Sequence, residues 1–422
     1  MNHKVLIIGA GGREHAIARA FANSPKVERV FVAPGNPGME RDEVLDQAPI
    51  ECVDLEVTAI AALVEFAETN NISVTFVGPE QPLELGIVDE FRQRNLAIVG
   101  PTKVGAQLEN SKWFAKNIMG EAQVKTAQCQ FFEFEQFEAA LAYCHTIGLP
   151  FVMKVDGLMA GKGVIIPETM AEAETALIEI MQTMQKNLLI EEFMVGVEFS
   201  HFSLVNEDHI ISLGNACDYK RVGDNDQGLN TGGMGAFAPV PWVNDQLNQQ
   251  IIDEIVRPVA KQMVANGTPF TGILYTGVIL TSDGPKVVEF NTRLGDPETQ
   301  ILLPLLATDF YDVIEAHLSK TTIQIAYEQQ SSLGIVLAAE GYPGPCQTNI
   351  ALDNTDMLQA NVLYAGVGGT KESLYSTGGR ILMMTAQAAT LTDARNKAYQ
   401  LMNQLAIPQT FYRKDIGLNR DK

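Results

Sequence analysis

Lys154-Val155-Asp156-Gly157-Leu158-Met159-Ala160-Gly161-Lys162-Gly163 lies between two short apolar runs, 151–155 and 164–166, that read as strands. A glycine-rich strand–loop–strand of this kind can fold over phosphates and offer them backbone N–H groups. It is not a Walker A loop. Only three residues separate Gly157 from Gly161-Lys162, and Gly163 stands where Ser or Thr is required. Lys154 sits inside an apolar strand, where an ammonium is costly unless it meets an anion.

Downstream, Leu188-Leu189-Ile190-Glu191-Glu192-Phe193 is an apolar strand that ends abruptly in carboxylates. Backbone groups at Glu191 and Phe193 could pair with an adenine edge, and a carboxylate could take ribose hydroxyls. Further on comes Val287-Val288-Glu289-Phe290-Asn291-Thr292-Arg293-Leu294-Gly295-Asp296-Pro297-Glu298. On a strand, Glu289 and Asn291 point to one face. Two oxygen donors there suit Mg²⁺, which keeps its other positions for water and phosphate oxygens. Arg293 joins that face if the strand continues, and could bind a carboxylate or steady an acyl phosphate.

Upstream, Gly9-Ala10-Gly11-Gly12-Arg13-Glu14-His15 follows a strand and opens a helix, a favourable place for phosphate. A dinucleotide fingerprint requires a small residue where Glu14 stands, so a monophosphate ligand fits better. Two more glycine loops concentrate positive charge and bare backbone. Lys220-Arg221-Val222-Gly223-Asp224 precedes Asn230-Thr231-Gly232-Gly233-Met234-Gly235, and Ser376-Thr377-Gly378-Gly379-Arg380 leads into a strand.

These segments sit in an acidic chain of 422 residues, 46% hydrophobic, with a formal net charge of −21. Nucleic acid is therefore a poor partner, and anionic substrates need local devices. The five cysteines, Cys52, Cys129, Cys144, Cys217 and Cys346, form no CxxC pair. They read as small hydrophobes in a reducing compartment, not as zinc ligands or a disulfide framework. Neither a signal peptide nor a membrane span is expected, so the expected location is cytoplasmic.

Strand-length runs at 4–9, 30–33, 74–77 and 97–100 alternate with helical patterns near 13–23, 56–69 and 84–94. That alternation predicts a doubly wound parallel sheet, with ligands outside its carboxyl ends. The residues 103–120 read as a helical connector, and a helix is expected near 170–186. The stretch 214–238 is glycine-rich with little periodicity, and a long helix follows near 246–265. Strands near 272–280 and 285–291 form a hairpin, and 328–422 carries strands near 333–339 and 379–385 with a helix near 391–405. The expected domains are a parallel α/β unit over 1–102, a connector over 103–122, a lid over 123–190, a core over 191–327 and an α+β unit over 328–422. The fold class is thus α/β and α+β multidomain.

In this order, a glycine loop between strands, a carboxylate-ended strand and a late Glu-x-Asn strand resemble an ATP-grasp fold. The chain further resembles the phosphoribosylamine–glycine ligases, also called glycinamide ribonucleotide synthetases. The likeness rests on GGREHA at 11–16, APGNPG at 33–38, VGPEQPL at 77–83, GPT at 100–102 and DGLMAGKGV at 156–164. IEEF at 190–193, YKRVGD at 219–224, NTGGMGA at 230–236, VEFNTRLGDPETQ at 288–300, TGGR at 377–380 and YRKDIG at 412–417 complete it. The chain departs from the family pattern at Val155 and Met159, where alanines are usual, at Tyr219 for histidine and Leu229 for proline, and in a shorter loop before Leu188.

The resemblance implies ATP and Mg²⁺ or Mn²⁺ as cofactors. It implies that Lys112, Lys154, Gly161, Lys162 and Gly163 hold phosphates, and that Glu191, Glu192, Phe193 and Glu198 hold adenosine. Glu289 and Asn291 would bind the metal, and Lys154 and Arg293 would act in catalysis. Gly11, Gly12, Arg13, Glu14, Asn36 and Glu80 would surround the ribose phosphate of phosphoribosylamine. Arg293, Asp296, Pro297 and Glu298 would line the glycine and amine site. Lys220, Arg221, Asp224, Asn230, Gly232, Gly233 and Arg380 would complete the substrate surface. The implied reaction passes through glycyl phosphate, with the 156–163 loop closing as a lid and the chain acting as a monomer. Rival expectations are another ATP-grasp ligase using formate or bicarbonate, a biotin carboxylase, a nicotinamide-dependent dehydrogenase and a non-catalytic nucleotide binder.

Overall fold

A computed structural model describes residues 3–42, 47–157, 163–353 and 355–418. At the N-terminus, strands β1 (His3–Gly9), β2 (Val27–Pro34), β3 (Ile50–Cys52), β4 (Val74–Val77) and β5 (Ile98–Val99) form a parallel sheet in the order β3-β2-β1-β4-β5. Val5, Leu6, Ile7 and Ile8 are fully buried, as expected of a strand covered on both faces. The chain leaves β1 to one side for β2 and returns on the other for β4, so the crevice between β1 and β4 is the topological switch point. The expected helix over 84–94 is two helices, Glu80–Leu85 and Ile87–Gln93, divided where Gly86 takes φ 90°. Strand β3 escaped the sequence reading because three residues carry no usable periodicity.

Helix α1 (Gly12–Ala22) begins at the switch point, and Glu14 fills the crevice. Its Oε2 accepts from the Gly11 N–H at 2.7 Å, and its Oε1 accepts from Arg13 Nε at 2.5 Å. Gly9 and Gly78 leave room for this carboxylate. A Cβ at position 9 would lie 2.4 Å from Glu14 Cγ, and one at position 78 would lie 2.0 Å from Glu14 Oε1. We expect Gly78→Ala to displace Glu14 and uncap α1, costing about 1–3 kcal/mol by overpacking and lost capping. A urea midpoint unchanged from the parent would contradict this.

Strands β6 (Cys129–Phe132), β7 (Phe151–Val155), β8 (Val164–Ile165) and β9 (Leu188–Glu192) form an antiparallel sheet in the order β6-β9-β7-β8. Met153, Val155, Leu188 and Ile190 pack beneath the helices Phe137–Ile147 and Met170–Leu177. Strand alternation turns Lys154 and Glu191 to the opposite face.

The largest sheet was only partly legible. In chain order come β10 (Val197–Asn206), β11 (His209–Asp218), a small hairpin of β12 (Arg221–Gly223) and β13 (Gln227–Asn230), and β14 (Gly235–Ala238). Then come β15 (Thr271–Thr281), β16 (Gly284–Asn291), β17 (Ser331–Ala339) and β18 (Val362–Tyr364). A second small hairpin of β19 (Val367–Gly369) and β20 (Leu374–Ser376) precedes β21 (Arg380–Ala388) and β22 (Thr410–Phe411). The main path is β16-β15-β10-β11-β14-β17-β21-β18, with β22 against β17. The β14–β17 pairing makes one sheet of strands that the sequence reading assigned to two domains. The hairpin β10–β11 carries no visible apolar run because Ser200, His201 and Ser203 are buried at 1% exposure or less. The partner of Ser200, Tyr275, is remote in sequence, and that of His201, Asn215, stands directly across the hairpin on β11.

The N- and C-terminal regions are clasped through α1. Arg19 Nε and Nη2 donate to Asp42 at 2.6 and 2.8 Å, and Nη2 also donates to the Val362 carbonyl at 2.9 Å. His15 Nδ1 accepts from the Tyr364 N–H at 2.9 Å, so its proton belongs on Nε2, 3.0 Å from Asp42 Oδ2. Burial lowers the His15 pKa from its usual 6.5. Against burial, which raises it, His15 and Arg19 together draw the Asp42 carboxyl well below its usual 3.8. Both shifts act in one direction. A base with a depressed folded pKa contributes stability that is complete above pH 6.5 and declines below it, because the unfolded chain takes up the proton. A depressed carboxyl contributes stability that is complete above pH 3.8 and is lost as pH falls further. We expect the melting temperature to fall from near neutrality downward, and Asp42→Asn to flatten the part of that fall below about pH 4. A variant with the parent's acid limb would remove Asp42 from the clasp.

Candidate active site

A cleft of about 970 Å³ runs between the β6–β9 sheet, strands β15 and β16 and the carboxyl end of the N-terminal sheet. Four lysines line it: Lys112, Lys116, Lys154 and Lys220. Lys154, on β7, places Nζ 2.8 Å from Glu191 Oε2 and donates to the Val288 carbonyl at 2.9 Å. Its neighbour Lys116 lies 3.2 Å from Glu191 Oε1. Lys112 Nζ donates to the Gly157 carbonyl at 2.9 Å, and burial pulls its pKa down against the pull of Glu289 and Asp156. Lys112 opens the helix Lys112–Glu121, whose first N–H groups are capped from outside. Asp156 Oδ1 accepts from the Lys112 N–H at 2.7 Å, which ties the root of the glycine loop to that helix.

Glu289, Asn291 and Arg293 leave β16 into the same cleft. Arg293 Nη2 donates to Asn291 Oδ1 at 3.2 Å and pairs with Glu109 Oε1 at 2.9 Å, and Nε lies 3.5 Å from Glu80 Oε2. Burial works against the Arg293 charge, but Glu109 and Glu80 outweigh it and raise the pKa above its usual value. Burial pushes the Glu109 carboxyl up, while Arg293 and the Thr292 N–H, which donates to Oε2 at 2.8 Å, pull against it. Each group of the pair has a close partner of opposite kind, Glu109 Oε1 lying 2.9 Å from Arg293 Nη2. The carboxylate of Glu289 and the amide oxygen of Asn291, on one strand and facing the cleft, are a hard-oxygen donor set that fits a divalent cation of the Mg²⁺ type.

Arginines from both ends of the chain fix the 294–296 turn. Arg13 Nη1 donates to the Leu294 carbonyl at 3.2 Å. Arg380, at the start of β21, donates from Nη2 to Asp296 Oδ2 at 2.8 Å and from Nη1 to the carbonyls of Asp296 and Gly232 at 3.0 and 2.7 Å. Beside them Glu298 is pushed up to about 7, first by burial and then by the Asp218 carboxylate. Lys220 pairs with Asp218 at 3.1 Å and Glu198 at 3.5 Å.

Of the residues singled out from sequence, the cleft collects Arg13, Glu80, Lys112, Lys154, Gly163, Glu191, Glu198, Lys220, Arg221, Asn230, Gly232, Glu289, Asn291, Arg293, Asp296, Glu298 and Arg380. Gly161 and Lys162 lie outside the described residues, as does the middle of the expected lid. Gly11, Gly12, Glu14, Asn36, Glu192, Phe193, Asp224, Gly233 and Pro297 do not line it. The Asn36 amide is engaged internally, donating to the Ala10 carbonyl at 2.7 Å and accepting from the Gly38 N–H at 3.0 Å. Glu192 accepts from the Gln128 N–H, and Asp224 from the Lys414 N–H. Gly233 lies against Pro297 with φ 109°, where a Cβ would come 2.3 Å from Pro297 Cδ.

The sequence reading missed Glu109, Lys116, Asp218 and Tyr275, all of which line the cleft. Lys116 had a signal: it stands four residues after Lys112 in a segment read as helical, and so on the same face. Glu109 had none, because only its contact with Arg293 gives it meaning. All five cysteines are free thiols, and none lines the cleft.

Residues 3–109 match the N domain of the phosphoribosylglycinamide synthetase family, 110–299 its ATP-grasp (A) domain and 332–419 its C domain. A phosphoribosylamine–glycine ligase of Halalkalibacterium halodurans is 43% identical over 420 residues, covering 98% of this chain and 96% of the relative. One of Escherichia coli K12 is 42% identical over 428 residues, covering 98% of each. Among solved structures, the phosphoribosylamine–glycine ligase of Thermotoga maritima superposes with a TM-score of 0.81 at 29% identity, over 98% of this chain and 100% of that one. A biotin carboxylase of Campylobacter jejuni reaches 0.70 at 15% identity, over 98% and 93%, a likeness of fold alone.

Proposed function

The chain belongs to the phosphoribosylglycinamide synthetase family, and from that premise we propose how its cleft works. The enzyme is an ATP-dependent carbon–nitrogen ligase. It joins glycine to 5-phosphoribosylamine, giving glycinamide ribonucleotide, ADP and phosphate, a step of purine biosynthesis. The observation that carries our reading of the site is the Lys154–Val288 hydrogen bond. It sets an ammonium beside Glu289 in a cleft that also holds Arg293.

Glycine's carboxylate does not acylate amines, because its leaving group would be oxide. In the proposed route a carboxylate oxygen attacks the γ-phosphorus of ATP and ADP departs. The resulting glycyl phosphate has a good leaving group. The amine lone pair of phosphoribosylamine attacks the carbonyl carbon, phosphate leaves with the C–O electron pair, and the nitrogen loses a proton. Lys154 and Lys112 offset the negative charge gathering on the transferred group. Arg293, held by Glu109 and Glu80, takes the glycine carboxylate and then the acyl phosphate oxygens. Arg13 and Glu80, at the switch point, meet the ribose phosphate end of phosphoribosylamine. Adenosine lies at the end of β9 near Glu198. Glu289 and Asn291 would hold Mg²⁺ or Mn²⁺, which when bound neutralises phosphate charge.

The work divides as the sequence reading divides the chain: 1–102 for the ribose phosphate, 103–122 and 123–190 for ATP phosphates, 191–327 for metal and glycine, and 328–422 closing the site through Arg380. No helix among the described residues is long and apolar enough to cross a membrane. We place the enzyme in the cytoplasm as a monomer acting on small molecules, with no nucleic-acid partner; light scattering checks the monomer. The decisive assay supplies ATP, glycine and freshly made phosphoribosylamine. ADP with phosphate supports the acyl-phosphate route, and AMP with pyrophosphate refutes it.

A further inference from the structure

We infer that Arg413 is a positioning residue: from near the end of the chain it holds the β12–β13 hairpin against the cleft in the form that binds ATP. The inference rests on the proposed placement of adenosine near Glu198.

The hairpin has little of its own to hold it. Among the described residues β12 and β13 pair only with each other, and two strands alone are marginal in water. None of residues 221–230 is buried, so no apolar core stands behind them. At the tip Asn225 and Asp226 take φ of 57° and 54°, a left-handed conformation that non-glycine residues adopt rarely and that the surroundings must enforce. Yet Arg221, Asp226 and Asn230 line the cleft, and Lys220, at the foot of the hairpin, lies 3.5 Å from Glu198.

The fixing comes from a segment 190 positions away. The Arg413 side chain is 1% exposed. Its Nη1 donates to the Arg221 carbonyl at 2.8 Å and to Asp226 Oδ1 at 3.0 Å. Its Nε and Nη2 donate to Asp415 Oδ1 and Oδ2 at 2.8 and 2.6 Å, and its guanidinium carbon lies 4.9 Å from the centre of the Tyr219 ring. Asp415 Oδ2 accepts from the Asn225 N–H at 2.8 Å, and Asp224 Oδ1 from the Lys414 N–H at 2.7 Å. Each of residues 224–226 is thus bonded to 413–415. That segment is held in turn by the Tyr399 hydroxyl, on the helix Leu391–Met402, which donates to the Arg413 carbonyl at 2.8 Å. No residue of 412–417 lines the cleft, so YRKDIG reaches substrate through the hairpin. A planar fork can serve these partners together, and an ammonium cannot. A hairpin released from the fork samples other forms, and ATP affinity falls by the fraction of time it spends in them. Lys154 and Arg293, on other strands, keep their places, so the chemical step is spared.

The test is Arg413→Lys in the full chain, which keeps the charge and loses the fork. Amide hydrogen exchange over 222–230 is expected to quicken by about tenfold or more. ATP should bind about tenfold more weakly by calorimetry, while kcat at saturating substrates changes less than about threefold. Asp415→Asn, a milder change at the same fork, should shift exchange and affinity in the same direction, and it carries the test if Arg413→Lys does not fold. Ala398→Gly, on the buried face of the helix Leu391–Met402, is the control for general loosening of the C-terminal unit. It should lower the melting temperature and leave exchange over 222–230 and ATP affinity at parental values. Parental exchange or parental ATP affinity in the folded fork variants overturns the inference. Equal losses in Ala398→Gly also overturn it, as a general folding effect, and so does a loss confined to kcat. Variants with the expected exchange and affinity, made in a parent that binds ATP yet releases no ADP with glycine, would defeat the proposed reaction and leave this inference standing.

Discussion

Lys154→Ala is expected to lower glycine-dependent ADP release at saturating substrates by about 10²–10³-fold, the usual loss when one charged stabiliser of a transferring group is removed. The position explains the size. Lys154 is 5% exposed, so its ammonium acts where water screens little. The loss should fall mainly on kcat, because the charge to be offset grows during phosphoryl transfer. The variant also leaves Glu191 with Lys116 as its single cation, so a modest loss of stability accompanies it. A melting curve separates that loss from the kinetic one. A folded Lys154→Ala enzyme with near-parental kcat would remove the lysine from the ATP site.

Arg293→Ala is expected to have two large effects with different origins. Activity is expected to fall because, in the proposed site, glycine and its acyl phosphate lose their cation. Stability falls because Glu109, 8% exposed, is left as a buried carboxylate without its partner. Breaking a buried pair from one side commonly costs about 3–5 kcal/mol. The two effects can be parted. Adding Glu109→Gln to Arg293→Ala removes the stranded charge and should restore much of the lost stability, while activity stays lost. Denaturant midpoints and ADP release on the same three proteins decide the matter. Restored activity in the double variant would show that Arg293 serves only to neutralise Glu109.

The parts of the site legible in the sequence were those whose logic is local. Glu289 and Asn291 share a strand face two residues apart, and Lys154 stands out as a cation in an apolar strand. Spacing alone conveys such features. The rest depends on contacts between distant segments. Glu109 matters because Arg293, 184 positions later, needs an anion. Glu14 and Asn36 stand in segments that look like phosphate sites, yet their side chains serve the protein itself, as helix cap and loop brace. In the fold, the parallel N-terminal sheet announced itself through uninterrupted apolar strands. The hairpin β10–β11 did not, because serines and a histidine occupy its interior and find their partners across strands, Tyr275 for Ser200 and Asn215 for His201.

The β14–β17 pairing bears on how such a chain can be cut. A protein ended before β17 would bare the hydrogen-bonding groups of β14 along a flank whose residues are buried in the intact sheet, an invitation to self-association. It would also forfeit Arg380, and with it the brace on the 294–296 turn. Excision of the last quarter therefore does not yield a smaller catalyst with a missing accessory. It opens the scaffold on which glycine is to be activated, and the boundary visible in sequence is no seam for dissection.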